Sequence, residues 1–595
     1  MRLIALLLSP ALLSPALLSL ALLALPVRGA EPQHVLRYAF PLPETQFDPA
    51  QITDLYSRTV AAGIFEAPLE FAFHDRPVRL RPNTAAAMPE VSADQRSFTF
   101  TIRPGQYFAD DPAFGGRRRE LVAADYVYAL KRHYDPRWKS GQLYQLEGAG
   151  LLGLSALRRE AIDGKRPFDY AREVEGLQAL DRYRFRVRTA EAMPRLPQLF
   201  ADPSFAGAVA REVVEAHGDE IGAHPVGTGP FRLVQWRRGS RIVLERNPSY
   251  RERRYDEPQG DPALQGRRLP MLDRIEIDVI EQPQPRWLAF LNGEHQLIEQ
   301  LPAEFASQAA PGGRLAPSLA ARGVQMERQL RPSVALTYFA MQDPVVGGMA
   351  PAQVALRRAM SLAFDTEREV RLVRYGLAVP AQGTMAPGVW GHDPAWRSEM
   401  SSHDPARAKA LLELYGWRDR DGDGWRETPD GAPLAIHYAT QSDTLSRNLA
   451  EQWQLALKAI GVRLQIDVAN WPENAKRSRS GHLQMWTFGW LAGAPDGETF
   501  LALAYGPNIG QSNPSRFSLP AYDALFERQR LLPDGPERLA AMQQAQSLLV
   551  AYMPMKAHVH HVGIDLAQPA LRGYRRHPFV PNFWLWVDVR PDPPS

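Results

Sequence analysis

The chain of 595 residues carries 69 basic and 66 acidic side chains, a formal net charge of +3, too small a balance for holding nucleic acid by bulk electrostatics. Its length exceeds what one hydrophobic core fills, so two or three lobes are expected, and 45% hydrophobic with 23% charged residues is the balance of a folded soluble protein. It has no cysteine, which excludes disulfides, thiol catalysis, thiolate metal sites and a lipid anchor on an N-terminal cysteine.

Arg2 opens the chain and is followed by the apolar run LIALLLSPALLSPALLSLALLAL, with small residues around Gly29 and Ala30. A basic start, an apolar stretch and a small-residue exit mark a secretory signal. Val27 and Gly29 suit the signal peptidase, which places the cut after Gly29. The run is long and contains Pro10 and Pro15, and an uncleaved anchor is the alternative. No later stretch is apolar for long enough to cross a bilayer. An exported chain without a lipid anchor is expected free in a periplasm.

Beyond this segment HVLRYAF reads as a first strand. SFTFTIR (97–103) alternates Phe98, Phe100 and Ile102 on one face, and DRIEIDVI (273–280) does the same with Ile275, Ile277 and Val279. DRYRFRVRT and SRIVLER are further strands, GTG at 227–229 is a tight turn, and the small-residue stretch 300–325 is a candidate connection. Asp404 is placed to cap a helix with Pro405 at its first position; Ala408, Leu411, Leu412 and Tyr415 keep helical spacing and Gly416 ends it. PLAIHYAT is then a strand, Leu445, Leu449, Trp453, Leu457 and Ile460 mark a helix face ended by Gly461, and VRLQIDV is a strand with Val462, Leu464, Ile466 and Val468 on one side. Strand, helix and strand with short joints make a crossover, so these two strands are expected to be parallel and the lobe α/β.

The turn DRDGDGWRETPD (419–430) sets Asp419, Asp421 and Asp423 at alternate positions ahead of Gly424, the outline of an EF-hand calcium loop. Its context argues otherwise: Pro433 and a strand follow instead of a helix, Arg426 stands at the eighth place and Pro429 before the last ligand position. An Asp- and Gly-rich turn is the plainer reading; a cation held by Asp419, Asp421 and Asp423 without a second helix is the alternative. HVHH (558–561) sets His558 and His560 on one strand face, a metal pair or two ordinary strand histidines. MWTFGW (485–490) sets Trp486, Phe488 and Trp490 on one face, core or ligand wall. No nucleophile elbow, metalloprotease helix or phosphate loop is present, and nothing calls for a cofactor.

The order of several segments resembles the family 5 extracellular solute-binding proteins, the oligopeptide- and dipeptide-binding receptors of ABC importers. The segments are LRPNTAAAMPEVSADQRSFTFTIRPGQYFADDPAF, HPVGTGPFRLVQWRRGSRIVLERNPSY, LRRAMSLAFDTEREV, DPARAKALLELYGWRDRDGDGWRETPDGAPLAIHYAT, LPAYDALFERQR and LRGYRRHPF, together spanning nearly all of 35–580. The resemblance implies an α/β fold of two lobes joined by two crossing strands, one lobe carrying an extra subdomain. Lobe I would be 30–70, 222–332 and 561–595, the subdomain 71–221, and lobe II 333–560. It also implies a monomer without enzymatic activity that closes its hinge on a small peptide or other organic solute and docks on inner-membrane permease subunits.

The family's ligand loop follows an aromatic strand in a pattern like Trp-x-Ala-Asp-x-x-Asp-Pro, and here the stretch is WLAGAPDGETF. Trp490 and Ala492 match, Asp496 is the second acid, and Gly493 replaces the first, which in peptide receptors meets the ligand's α-ammonium group. Either Asp496 substitutes as the anchor or the ligand carries no ammonium there. By position, Glu44 and Thr45 after the first strand and Asn508 and Asn513 in YGPNIGQSNPS are expected to face the cleft. A non-peptide solute receptor on the same fold, a metal-dependent envelope hydrolase using 558–561 and the Asp turn, and a signalling or chaperone module that reuses the fold remain as alternatives.

Overall fold

The structure is a computed structural model that describes residues 33–590; the expected signal segment lies outside the described residues. Local chemistry starts the helices, at Asp404 as anticipated and at Asp443 in the same way. Asp404 accepts the Arg407 amide with Pro405 at the first helical position of Pro405–Leu414, and Asp443 accepts the Ser446 amide ahead of Thr444–Ala459. Gly416 and Gly461 end these helices at φ +84° and +76°, where a side chain would be strained.

Among the described residues twelve strands join in one sheet. In chain order they are β1 (Val35–Phe40), β2 (Phe231–Arg237), β3 (Arg241–Arg246), β4 (Arg274–Val279), β5 (Leu297–Ile298), β6 (Gln325–Leu330), β7 (Ser333–Phe339), β8 (Ala378–Pro380), β9 (Ala435–Thr440), β10 (Arg463–Val468), β11 (Met485–Leu491) and β12 (Met555–Ala567). Their spatial order is β10-β9-β11-β7-β12-β5-β1-β4-β3-β2, with β6 and β8 also paired to β12. β9 and β10 are parallel, Ala435 facing Arg463, as the crossover rule requires. β10 ends the sheet, and of its apolar face Val462 is buried while Ile466 and Val468 are 38% and 62% exposed.

The sheet serves two hydrophobic cores. One gathers Leu36, Tyr38, Ile275 and Ile277 with Phe583 and Trp584 from the C-terminal segment. The other gathers Leu336, Tyr338, Leu356, Tyr438, Trp453 and Met485. β6 and β7 run in succession antiparallel to β12, from Gln325 opposite Ala567 to Tyr338 opposite Met555. β12 therefore places Met555 and Ala557 in the second core and Ala567 in the first, with Ile564 and Leu566 in a smaller cluster under Trp287 and Phe290. This is the two-lobed arrangement with two crossing strands. A separate four-stranded sheet holds Glu90–Val91, Ser97–Thr101, Arg184–Arg188 and Leu177–Ala179. Its Phe98, Phe100 and Phe185 are continuous with the first core, Phe100 lying 4.7 Å from Phe200.

An ion network ties distant segments of the first lobe together. Glu70 accepts from Arg81 Nε at 2.6 Å and from Arg253 Nη2 at 2.5 Å, and both guanidinium groups lie over the Trp586 ring. Burial alone would raise the Glu70 carboxyl, but Arg253 and Arg81 outweigh it and hold it down at about 2. A carboxylate so depressed contributes stability above its unfolded value near 4.5 and loses it as pH falls toward 2, about 3 kcal/mol in all. Glu70→Gln leaves two guanidinium groups facing a neutral amide and is expected to cost ~3 kcal/mol at pH 7. In urea titrations the wild type should lose stability between pH 4.5 and 2, and the variant should lose correspondingly less.

Candidate functional site

The site expected between the lobes begins where β7 leaves the crossing. β7 pairs antiparallel with β11, Ser333 facing Leu491 and Tyr338 facing Trp486. The pairing runs one step past the strands, because the Ala492 amide donates to the Pro332 carbonyl at 2.9 Å. The loop after β11 is thereby fastened to Pro332, between β6 and β7.

Period-2 geometry sets Trp486, Phe488 and Trp490 on one face, as the sequence suggests. Trp486 is buried, 4.8 Å from Trp471 and 6.2 Å from Phe488, which also meets Tyr338. Phe488 and Trp490 are half-buried, and Trp490 Nε1 donates to Thr499 Oγ1 at 3.1 Å. The face thus grades from core at Trp486 to half-buried Phe488 and Trp490, and Leu491 on the opposite face is 50% exposed. Gly493 follows, exposed, with open space where a Cβ would stand.

Asp496 does not offer a free carboxylate. It is buried and accepts from Arg538 Nη1 at 2.7 Å and Nη2 at 2.8 Å, a two-pronged pair. Arg538 also bonds Gln529 and Asp534 and lies over Trp390, whose carbonyl accepts the Gly497 amide at 3.0 Å. A Cβ on Gly497 would stand 2.8 Å from that carbonyl, so the close approach demands glycine. The expectation that Asp496 substitutes as a ligand anchor is corrected accordingly: both its oxygens serve to hold the loop.

The other expected residues are held by their own surroundings. Glu44 is buried, and its Oε1 accepts from Trp236 Nε1 at 2.5 Å and from the Gly239 amide at 3.0 Å, while Oε2 has no hydrogen-bond partner among the described residues. Thr45 Oγ1 donates to Asp54 Oδ2 at 2.6 Å, and its amide donates to Ser57 Oγ at 3.0 Å. Asn508 donates to the Ala502 carbonyl, and Asn513 to the Tyr505 and Phe517 carbonyls, so both brace the loop they belong to. Ala492 is buried.

His558 lies in the second core between Thr337 Oγ1 at 2.7 Å and Glu369 Oε2 at 2.8 Å, while His560 bonds the Ser333 carbonyl. Burial pushes the His560 ring down to about 4, leaving it neutral. Asp419, Asp421 and Asp423 bring one oxygen each within 4.8 Å of one another. Those oxygens already accept the Gly422, Gly424, Asp423 and Trp425 amides, and Asp423 pairs with Arg463, so turn chemistry accounts for the cluster. Nothing brings these carboxylates to His558 or His560 among the described residues.

A contact the sequence did not reveal bridges the lobes away from the hinge. Arg195, just before the helix Leu196–Leu199, belongs to the first lobe by its neighbours. Its guanidinium donates to the Leu532 carbonyl at 3.0 Å, to Glu498 Oε2 at 3.0 Å and to the Arg530 carbonyl. Arg530 in turn donates to Glu191 at 2.8 Å. Burial raises the Glu498 carboxyl above its ordinary range, with Arg195 opposing and Asp496 adding to the rise. Arginines that cap carbonyls 334–337 residues away leave no local signature to read.

A family model described as "Bacterial extracellular solute-binding proteins, family 5 Middle" matches residues 79–512. "Di/tripeptide-binding protein 2" of Pseudomonas aeruginosa is 26% identical over 558 residues, covering 89% of this chain and 90% of that protein. The periplasmic binding protein DppA of Helicobacter pylori, solved with the peptide STSA, superposes with a TM-score of 0.67 at 20% identity, over 93% of this chain and 98% of that one. HbpA2 of Haemophilus parasuis gives 0.71 at 19% identity, over 93% and 99%.

Two substitutions separate the loop anchor from the bridge. Asp496→Ala strands the buried Arg538 charge and should destabilise the protein by ~3–5 kcal/mol in urea denaturation. Arg195→Ala, partly solvated, should cost little stability but enlarge the radius of gyration measured by small-angle X-ray scattering, because the bridge is then reduced to the Arg530–Glu191 pair.

Proposed function

We propose, given that this chain belongs to the bacterial extracellular solute-binding proteins of family 5, that it captures a peptide or peptide-like solute in the cleft between its lobes. Delivery to the permease of an ABC importer, in a periplasm and as a monomer, completes the reading. The observation that carries it is the crossing of β12 between two separate hydrophobic cores. Such a strand can flex at its midpoint without opening either core, and a ligand touching both lobes is bound fully in the closed form alone. In this reading the ligand meets the accessible end of β11, from Trp490 to Gly493. In this reading lobe I is 30–70, 222–332 and 561–595, the subdomain 71–221 and lobe II 333–560, with the signal cut near Gly29.

A non-peptide organic solute is the second reading, favoured by the bare position at Gly493 and the engagement of Asp496 with Arg538. The hydrolase reading gains no support, since His558 and His560 are committed to Thr337, Glu369 and Ser333.

Thermal melts and tryptophan fluorescence against free di- and tripeptides and a panel of small metabolites test the proposal. At a hundredfold excess over Kd a true cargo stabilises the folded form by about 2.7 kcal/mol, a shift of several degrees. Shifts from peptides support the first reading, shifts confined to other solutes the second, and a flat response throughout would count against solute capture.

A further inference from the structure

We infer that the second lobe carries a further ligand site, remote from the interlobe cleft, which takes a small polar molecule by its oxyanion, a phosphate or a carboxylate, through Arg477 and Arg516. The inference goes beyond solute capture and does not depend on it.

The site is a cavity of about 460 Å³, a size that suits a small molecule. It is lined by Ala340 just after β7, His437 and Ala439 on β9, Asp467 on β10 and Gln484 just ahead of β11. β7 and β11 run side by side for seven residue pairs, from Ser333 opposite Leu491 to Phe339 opposite Met485. The cavity lies beyond the Phe339–Met485 end, so about 20 Å of strand separates it from the cleft end at Leu491. Arg477 and Gly481 come from the end of the helix Trp471–Arg479, and Arg516 from the segment ahead of the helix Pro520–Leu531.

Arg516 is built into place. Its neighbours Ser515 and Phe517 are fully buried, and the Met341 amide donates to the Ser515 carbonyl at 2.8 Å. Arg516 itself stands at φ +57°, in the left-handed region where a side chain is strained, and such strain gathers at ligand sites. Gly481, at φ +79°, makes room for it: a Cβ there would stand 2.5 Å from Arg516 Nε. Arg516 Nη2 donates to the Arg479 carbonyl at 2.7 Å, while Nε is closed off from solvent without a hydrogen-bond partner among the described residues.

Arg477 adds a second positive charge. Tyr338 OH donates to Ser478 Oγ at 2.9 Å. Burial pushes this phenol up to about 12, and Ser478, then Arg516 and Arg477, oppose the rise, so both guanidinium groups act on the same hydroxyl. Among the described residues neither arginine has an ion pair. The acids of the lining are engaged elsewhere. Asp343 Oδ1 accepts the Val345 and Val346 amides at 2.8 and 3.0 Å and Gln484 Nε2 at 3.0 Å. Asp467 pairs with His437 at 3.4 Å, and His482 Nδ1 meets Ser480 Oγ at 2.8 Å.

Two half-buried guanidinium groups on one phenol repel each other, and an oxyanion between them turns that repulsion into attraction. Their planar forks match the paired oxygens of a phosphate or a carboxylate. A cation would meet like charge there. Gln342 and His482 extend the polar lining toward hydroxyl or amide groups on the rest of the molecule.

Inorganic phosphate, glucose 6-phosphate, citrate and, as the neutral control, glucose test the site by calorimetric titration and melting temperature at matched ionic strength. At least one oxyanion should bind saturably and, at about a hundredfold excess over Kd, raise the melting temperature by several degrees; glucose should do neither. Binding of the phosphates assigns a phosphate site and binding of citrate a carboxylate site. Losing one charged hydrogen-bond partner costs about tenfold or more in affinity, which is the loss expected for Arg477→Gln and for Arg516→Asn. Asparagine is chosen at 516 because it tolerates left-handed backbone; if that variant does not fold, Arg477→Gln carries the comparison. A crystal structure with the bound oxyanion should show it between Arg477 and Arg516. No binding by any oxyanion, affinity indifferent to both substitutions, or density in the interlobe cleft instead overturns the inference.

Discussion

The constraint on which the molecule depends is the sharing of one strand by two cores. β12 buries Met555 and Ala557 in one lobe and Ala567 in the other, and β6 and β7 follow it on the opposite course. Each lobe keeps its own close-packed interior, and interiors of that density resist deformation. Between Ala557 and Ala567 the strand packs in smaller clusters, through Val559 and through Ile564 and Leu566. Tight lobes and a narrow crossing are one design, because a hinge functions only between bodies that do not themselves yield.

The lobes owe part of that stiffness to buried ion pairs that pin loops instead of contacting solvent. Arg132 holds Asp48 at 2.5 and 2.8 Å with both side chains almost fully buried, and Glu70 and Asp496 are held in the same two-pronged manner. Such pairs add little net stability over apolar packing, but breaking one leaves a stranded charge. Their consequence here is geometric. Asp496, Arg538 and Trp390 fix the loop after β11.

Much of the local architecture was legible from residue order. Alternation marked Ser97–Thr101 and Arg274–Val279 as strands, and Asp404, Gly416 and Gly461 marked helix ends, because caps and pleats act over four residues or fewer. The aromatic face of β11 followed from period 2 alone. Less legible was the allotment of polar side chains. Glu44, Asn508 and Asn513 were expected in a cleft by position, yet they serve Trp236 and the carbonyls of their own loop. The exposed apolar end of β10 escaped notice too, since whether a face is covered depends on what the sheet meets at its edge.

The sequence by itself determined the element types, the export-like N-terminus, the absence of thiol chemistry and, through the order of its segments, the family and its two-lobed fold. Those properties are written in short-range periodicity and composition. Only the tertiary structure decided which charges are neutralised, because pairing joins Arg195 to Glu498 and Arg538 to Asp496 across 303 and 42 residues. A carboxylate in a motif and a carboxylate available to a ligand differ by one guanidinium arriving from elsewhere in the chain, and electrostatics at 3 Å is blind to sequence separation.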